Sequence, residues 1–193
     1  MNRKSKVYKM TTAALLCAIG IIIPLISPIR IVLEPASYTL ASHVPIFIAM
    51  FISPATAVVV AIGTTVGFFI SGFPIVVVLR AATHTIWAYL GAKVLEKKED
   101  LMDTVPKRLL YSFFLGLTHA ALEMMVVIPF YFGASMSKAY YAKGFFVSVV
   151  LLVGVGTVAH SMFDFFLSRL IWSPVNKTLS LKKDKRELSS LVK

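Results

Sequence analysis

Six ionisable residues fall inside long apolar runs of this 193-residue chain, in three pairs of identical spacing: Arg80 with His84, His119 with Glu123, and His160 with Asp164. Residues four apart on an α-helix lie about 40° apart round its axis, so each pair shares one face. A charged side chain in mid-bilayer costs roughly 2.5–3.5 kcal/mol on insertion scales, which requires Arg80, Glu123 and Asp164 to look inward, toward partners or water. The chemistry on offer is recognition of charge, since a buried guanidinium or imidazole fixes a carboxylate through charge-assisted hydrogen bonds. The competing role is adhesion between helices, worth about 0.6 kcal/mol per bond. Four titratable groups exceed what adhesion needs, so Arg80, His84, His119 and Glu123 are read as a binding cluster, with Arg80 long enough to reach Glu123. His160 and Asp164, counted as deepest, are read as structural, with Asp164 near Arg169 or water. Trp87 shares the face of Arg80 and His84. It is equally readable as packing or as a stacking wall.

The elements that position these groups follow from hydropathy. Hydrophobic residues make up 58% of the chain, charged residues 15%, and mean hydropathy is +0.81, too apolar for a soluble domain. Apolar runs bounded by charge, proline or turn residues predict six helices, at about 10–26, 39–52, 55–70, 76–95, 109–132 and 145–172. The fold class is therefore all-α, a single membrane domain over 1–193. Basic residues cluster at 1–9, in the loop 96–108 and in the tail 174–193, whereas the alternate loops carry only Arg30, Lys138 and Lys143 as bases. That bias puts both termini in the cytoplasm. The net charge of +11 is then topology signal, and nucleic acid is not an expected partner. The first helix is read as uncleaved, and Cys17 has no second cysteine to pair with. Neither a P-loop nor an H-E-x-x-H pattern occurs, so energy comes from a partner or a gradient. The segment SPIRIVLEPASYTLASH holds Arg30, Glu34, Tyr38 and His43, and is readable as a lid over the cluster or as a plain connector. Ala14 and Ala18 form a small-x-x-x-small ridge on the first helix that admits close approach of another helix.

The basic N-terminus leading into MTTAALLCAIG, the long loop after it, and LASHVPIFIAMFISPATAVVVAIGTTVGFFISG together resemble an S-component of an energy-coupling factor transporter, the substrate-binding membrane subunit of a vitamin importer. The stretches ASHVPIFIAMFISP and GFPIVVVLRAATH look most like the niacin-type branch, with the pantothenate type next. The resemblance implies a coupling subunit docking on Ala14 and Ala18 and a pair of ATPases that use the ATP. It also implies a vitamin held near the outer face by helices four to six and the loop after helix one. No cofactor or metal is expected on the chain itself. The resulting candidate site is Arg80, His84, Trp87, His119, Glu123, Glu34 and Tyr38, holding a carboxylate vitamin. Two readings from other classes compete: a proton-coupled carrier working alone, against which stands the lack of an internal repeat, and an intramembrane enzyme, against which stands the lack of a nucleophile with a paired base.

Overall fold

The computed structural model describes residues 3–33, 36–134, 136 and 138–191. The chain runs through α1 (Arg3–Ile26), a hairpin of β1 (Arg30–Leu33) and β2 (Ala36–Thr39), α2 (Val44–Ile52), α3 (Pro54–Ile70), α4 (Ile75–Lys97), a 3-10 turn (Glu99–Met102), α5 (Val105–Phe132), the short α6 (Lys138–Ala142), a π-helical stretch (Phe146–Val155) and α7 (Gly156–Leu191). Proline accounts for two of the joints. Pro54 opens α3 with Ser53 as its cap, the Ser53 hydroxyl accepting from the Thr56 amide at 3.1 Å. Pro74 is itself the cap residue before α4, with no side-chain capping bond.

Among the described residues, four helical stretches are long and apolar enough to cross a membrane: Val7–Ile26, Ile75–Lys97, Val105–Phe132 and Phe146–Thr178. Helix α3 has 17 residues and α2 only nine. At 1.5 Å per residue α2 extends about 13 Å, well under the ~30 Å of a bilayer core. Large apolar side chains such as Leu15, Ile22, Ile86, Phe114 and Phe166 point outward. The interior, by contrast, holds His84, His119, Glu123, Thr157 and Asp164. This inversion of the soluble pattern is what a lipid solvent demands.

Helix α2 is the centre of the bundle, packed against α1, α3, α4 and α7. Its Ile46, Phe47, Ala49 and Met50 join Trp87 and Ala88 of α4, Leu115 of α5 and Phe165 of α7 in one core. Small residues permit close packing round it. A Cβ built on Gly91 of α4 would sit 2.5 Å from Met50 Cε of α2 and, from α5, 2.8 Å from Leu115 Cδ1 and 2.9 Å from the Tyr111 hydroxyl, two helices converging on one backbone position.

Hydropathy predicts a second helix from residue 39, and the structure starts it at Val44. Thr39 closes β2, and residues 40–43 make a turn with Ala41 at φ 66°. That left-handed conformation carries a steric cost for a residue with a Cβ. The turn is held by Asp164 of α7, whose Oδ1 accepts from the Ala41 amide at 2.9 Å and whose Oδ2 accepts from the His43 amide at 2.9 Å. The expectation that Asp164 meets Arg169 or water is thereby corrected. Because α2 is short, the turn before it descends to the level of Asp164, while the Arg169 guanidinium lies 5.5 Å above the centre of the Phe51 ring.

Asp164→Ala is expected to leave two amides without their acceptor, costing roughly 1–3 kcal/mol for each. Thermal unfolding of the detergent-purified protein should show a large fall in Tm, with Asp164→Asn, which keeps one acceptor oxygen, falling less. Equal melting of the wild type and Asp164→Ala would show that the clamp contributes nothing.

Candidate functional site

Glu123 is the electrostatic centre of the interior. Its side chain is 5% exposed, and it draws on three helices. Arg80 Nη2 of α4 donates to Oε2 at 2.8 Å, and the Thr157 hydroxyl of α7 donates to the same oxygen at 2.8 Å. Oε1 lies 3.5 Å from His84 Nε2 and 3.4 Å from His119 Nε2. Helical rise explains the meeting of Arg80 with Glu123. Arg80 is five residues, about 8 Å, inside the start of α4, and Glu123 is nine residues, about 13 Å, before the end of α5, an offset that one arginine side chain bridges. The Arg80 Nε has no hydrogen-bond partner, so part of its donor fork is unspent.

His43, the N-cap of α2, stands at the centre of the histidines. Its ring centroid is 4.9 Å from that of His84, 4.8 Å from His119 and 5.0 Å from His160, all edge to face. Asp164 fixes it, with Oδ2 3.2 Å from His43 Nδ1 and 3.4 Å from His160 Nε2. Ser42 Oγ lies 3.1 Å from His160 Nε2. His119 is wholly buried. Neither of its ring nitrogens has a hydrogen-bond partner, the approach of Nε2 to Glu123 lacking hydrogen-bond geometry.

Above these groups is a hollow of about 80 Å³, bordered by Arg80, His84, Glu123, His43, His160 and Tyr38, with apolar walls from Phe68, Phe73 and Val77. A water needs about 10–15 Å³ of such volume, so the space suits several waters or one small ring. The hairpin between α1 and α2 roofs it: Tyr38 of β2 lines the hollow, its hydroxyl donates to the Leu152 carbonyl, and its ring lies 5.4 Å from that of His160. Leu152 belongs to the π-helical stretch, which leads directly to Thr157 and His160. Such stretches recur at functional positions because they re-aim the residues that follow.

Of the residues singled out from sequence, Arg80, His84, Glu123 and Tyr38 border the hollow. His119 and Trp87 lie one layer beneath it. The Trp87 indole is fully buried, 4.8 Å from His119 and 5.1 Å from Phe47 between ring centroids, so it supports the histidines from behind. Glu34 lies outside the described residues. His160 and Thr157, not among the chosen residues, line the hollow too. The His160–Asp164 spacing was a usable signal for the first, while a threonine in an apolar run gives none. Ala14 and Ala18 are exposed on α1, away from this site.

No family model matches the chain, and no solved structure matches it. A curated relative, described as the niacin transporter NiaX of Lactococcus lactis subsp. cremoris (strain MG1363), is 39% identical over 181 residues, covering 93% of this chain and 80% of the relative. With that identity sustained across nearly its whole length, the chain belongs to the niacin-type branch of the S-components of energy-coupling factor transporters.

Proposed function

We propose that the chain is the substrate-binding subunit of an importer and that it captures niacin from the outer side of the cell membrane. The observation that carries this reading is the small roofed hollow with an incompletely used guanidinium on its wall. Niacin at neutral pH is a single aromatic ring bearing a carboxylate, and its size accords with a space of about 80 Å³ better than the longer, branched pantothenate does. Arg80 offers Nε, and its remaining guanidinium donors, to the carboxylate while Nη2 stays on Glu123. Phe68, Phe73 and Val77 supply the apolar walls for the ring. Tyr38 closes the roof.

The chain crosses the membrane six times in this reading, α2 together with the turn before it serving as the second crossing, with both termini and residues 96–108 in the cytoplasm. It binds its ligand without pumping it and performs no chemistry on it. A transmembrane coupling subunit docks on α1, where Ala14 and Ala18 leave a low, exposed ridge, and two ATPase subunits hydrolyse the ATP. The lone carrier reading gains nothing from the helix arrangement.

Competition among B vitamins for the purified protein, read by tryptophan fluorescence, should show nicotinate displaced by its close analogues and not by pantothenate. If pantothenate displaces it equally well, the assignment to niacin fails. Arg80→Ala should weaken nicotinate binding by about 2 kcal/mol or more, the range for removing one partner of a buried charge pair. Arg80→Lys, which keeps the charge and loses the fork, should recover only part of the loss, and an unchanged affinity in both variants would remove Arg80 from ligand recognition. Ala14→Trp should bind nicotinate as the wild type does and abolish uptake in cells that contain the ATPases. Normal uptake by that variant would place the docking face elsewhere.

A further inference from the structure

Three elements each bring one histidine to a single point: His43 from the turn before α2, His84 from α4 and His119 from α5. One ring nitrogen from each lies within 4.8 Å of the other two, and all three side chains are buried. The ring centroids are 4.8–4.9 Å apart with the rings edge to face. Three imidazoles on a tetrahedral metal at a Zn–N distance of about 2.0–2.1 Å have their nitrogens roughly 3.3 Å apart, so small side-chain rotations close the triangle.

The surroundings match a metal site as well. His43 is oriented by Asp164 through Nδ1, and His84 Nε2 contacts Glu123, which is how carboxylates behind a metal select the tautomer and leave the other nitrogen's lone pair inward. His119 is the telling residue. It is fully buried, its Nδ1 has no partner, and its Nε2 approaches Glu123 at 3.4 Å without hydrogen-bond geometry, an arrangement that edge-to-face packing of the rings does nothing to relieve. Charge points the same way, because among the described residues that meet here Arg80 is the one cation against two carboxylates, Glu123 and Asp164. With neutral imidazoles the site is already negative, and an anionic ligand would deepen that deficit. A divalent cation together with one carboxylate ligand makes it neutral.

We propose that His43, His84 and His119 bind a divalent transition metal of the zinc class. The open fourth position faces the hollow that His43 and His84 border. This site deepens the niacin reading and rests on it for the ligand: the vitamin's carboxylate or ring nitrogen completes the coordination. The sequence shows no metal-ligand spacing because the three ligands come from three separate elements.

The test uses the full-length, untagged protein purified in detergent without added metal. Elemental analysis should find about one equivalent of a transition metal. Removing it with a chelator should weaken nicotinate binding about tenfold or more, and Zn²⁺ should restore it. Co²⁺ added to the stripped protein should give the visible absorption of a tetrahedral site, abolished in His119→Ala and in His119→Gln. Thermal unfolding of both variants separates lost ligation from lost folding. Nicotinate binding that is equally tight before and after stripping, with no Co²⁺ absorption from the wild type, overturns the metal site and leaves the niacin reading standing. Stoichiometric metal with no nicotinate binding in any state establishes the metal site and removes the niacin reading.

Discussion

A buried carboxylate holding a turn of backbone is the constraint on which the rest of this interior depends. Asp164 accepts from the amides of Ala41 and His43 and touches the His43 ring. Backbone outside regular structure is tolerable at membrane depth only where protein satisfies its polar groups. Here one side chain does so for two donors, the amides of Ala41 and His43, in a turn whose Ala41 is left-handed. A helix continued back to residue 39 would have Pro45 in its interior, where proline is unfavourable, so Pro45 favours the start of α2 at Val44. Asp164 on α7 then holds the turn before it and the position of the imidazole at the centre of the site.

Glu123 plays the matching part for the helices. Its two oxygens are divided between Arg80 and Thr157 on one side and His84 and His119 on the other, so α4, α5 and α7 meet at one charge. Burying a carboxylate is costly unless its lone pairs are used, and here each oxygen has two neighbours. The arrangement also limits what a ligand can use. The Arg80 guanidinium is partly spent within the protein, with Nη2 on Glu123 and Nε buried without a partner, and the residue borders the hollow. Recognition therefore depends on a residue whose orientation the protein has already fixed, and an oriented donor loses less freedom on binding than a free one.

The sequence was readable wherever a local rule sufficed. Helices α3, α4 and α5 fall within a few residues of the expected spans because Pro54, Pro74 and the charged segment 96–108 punctuate them. The reach of Arg80 to Glu123 was also readable, since it needs only the rise per residue and the charges on each face. The start of α2 was readable only in part, because Pro45 marks a helix start locally while the acceptor that holds Leu40, Ala41 and Ser42 in a turn is more than 120 positions away. The same holds for the π-helical stretch, whose FVSVVLLVGV carries the hydropathy of any apolar helix. His43 was visible as one of the polar residues of a loop readable as a lid or a connector. Its convergence with His84, His119 and His160 is a property of three-dimensional packing, and spacing along the chain contains no trace of it.

Helix α1 joins the two ends of the functional argument. Its Pro24 borders the hollow, and its Ala14 and Ala18 are exposed to the surroundings about two turns away. Between them Gly20 packs on Thr64 and Cys17 on Gly63, with so little room that a Cβ at Gly20 would lie 2.8 Å from Thr64 Oγ1 and one at Gly63 would lie 2.5 Å from Cys17 Sγ. Surfaces fitted that closely do not slide past one another without opening voids, so α1 and α3 behave as one body. Thr64 of α3 also borders the hollow. Helix α3 packs in turn along α4, and α2 packs on both α1 and α3, so the apolar wall given by Pro24 and Thr64 is held to the elements that carry Arg80, His84 and His43.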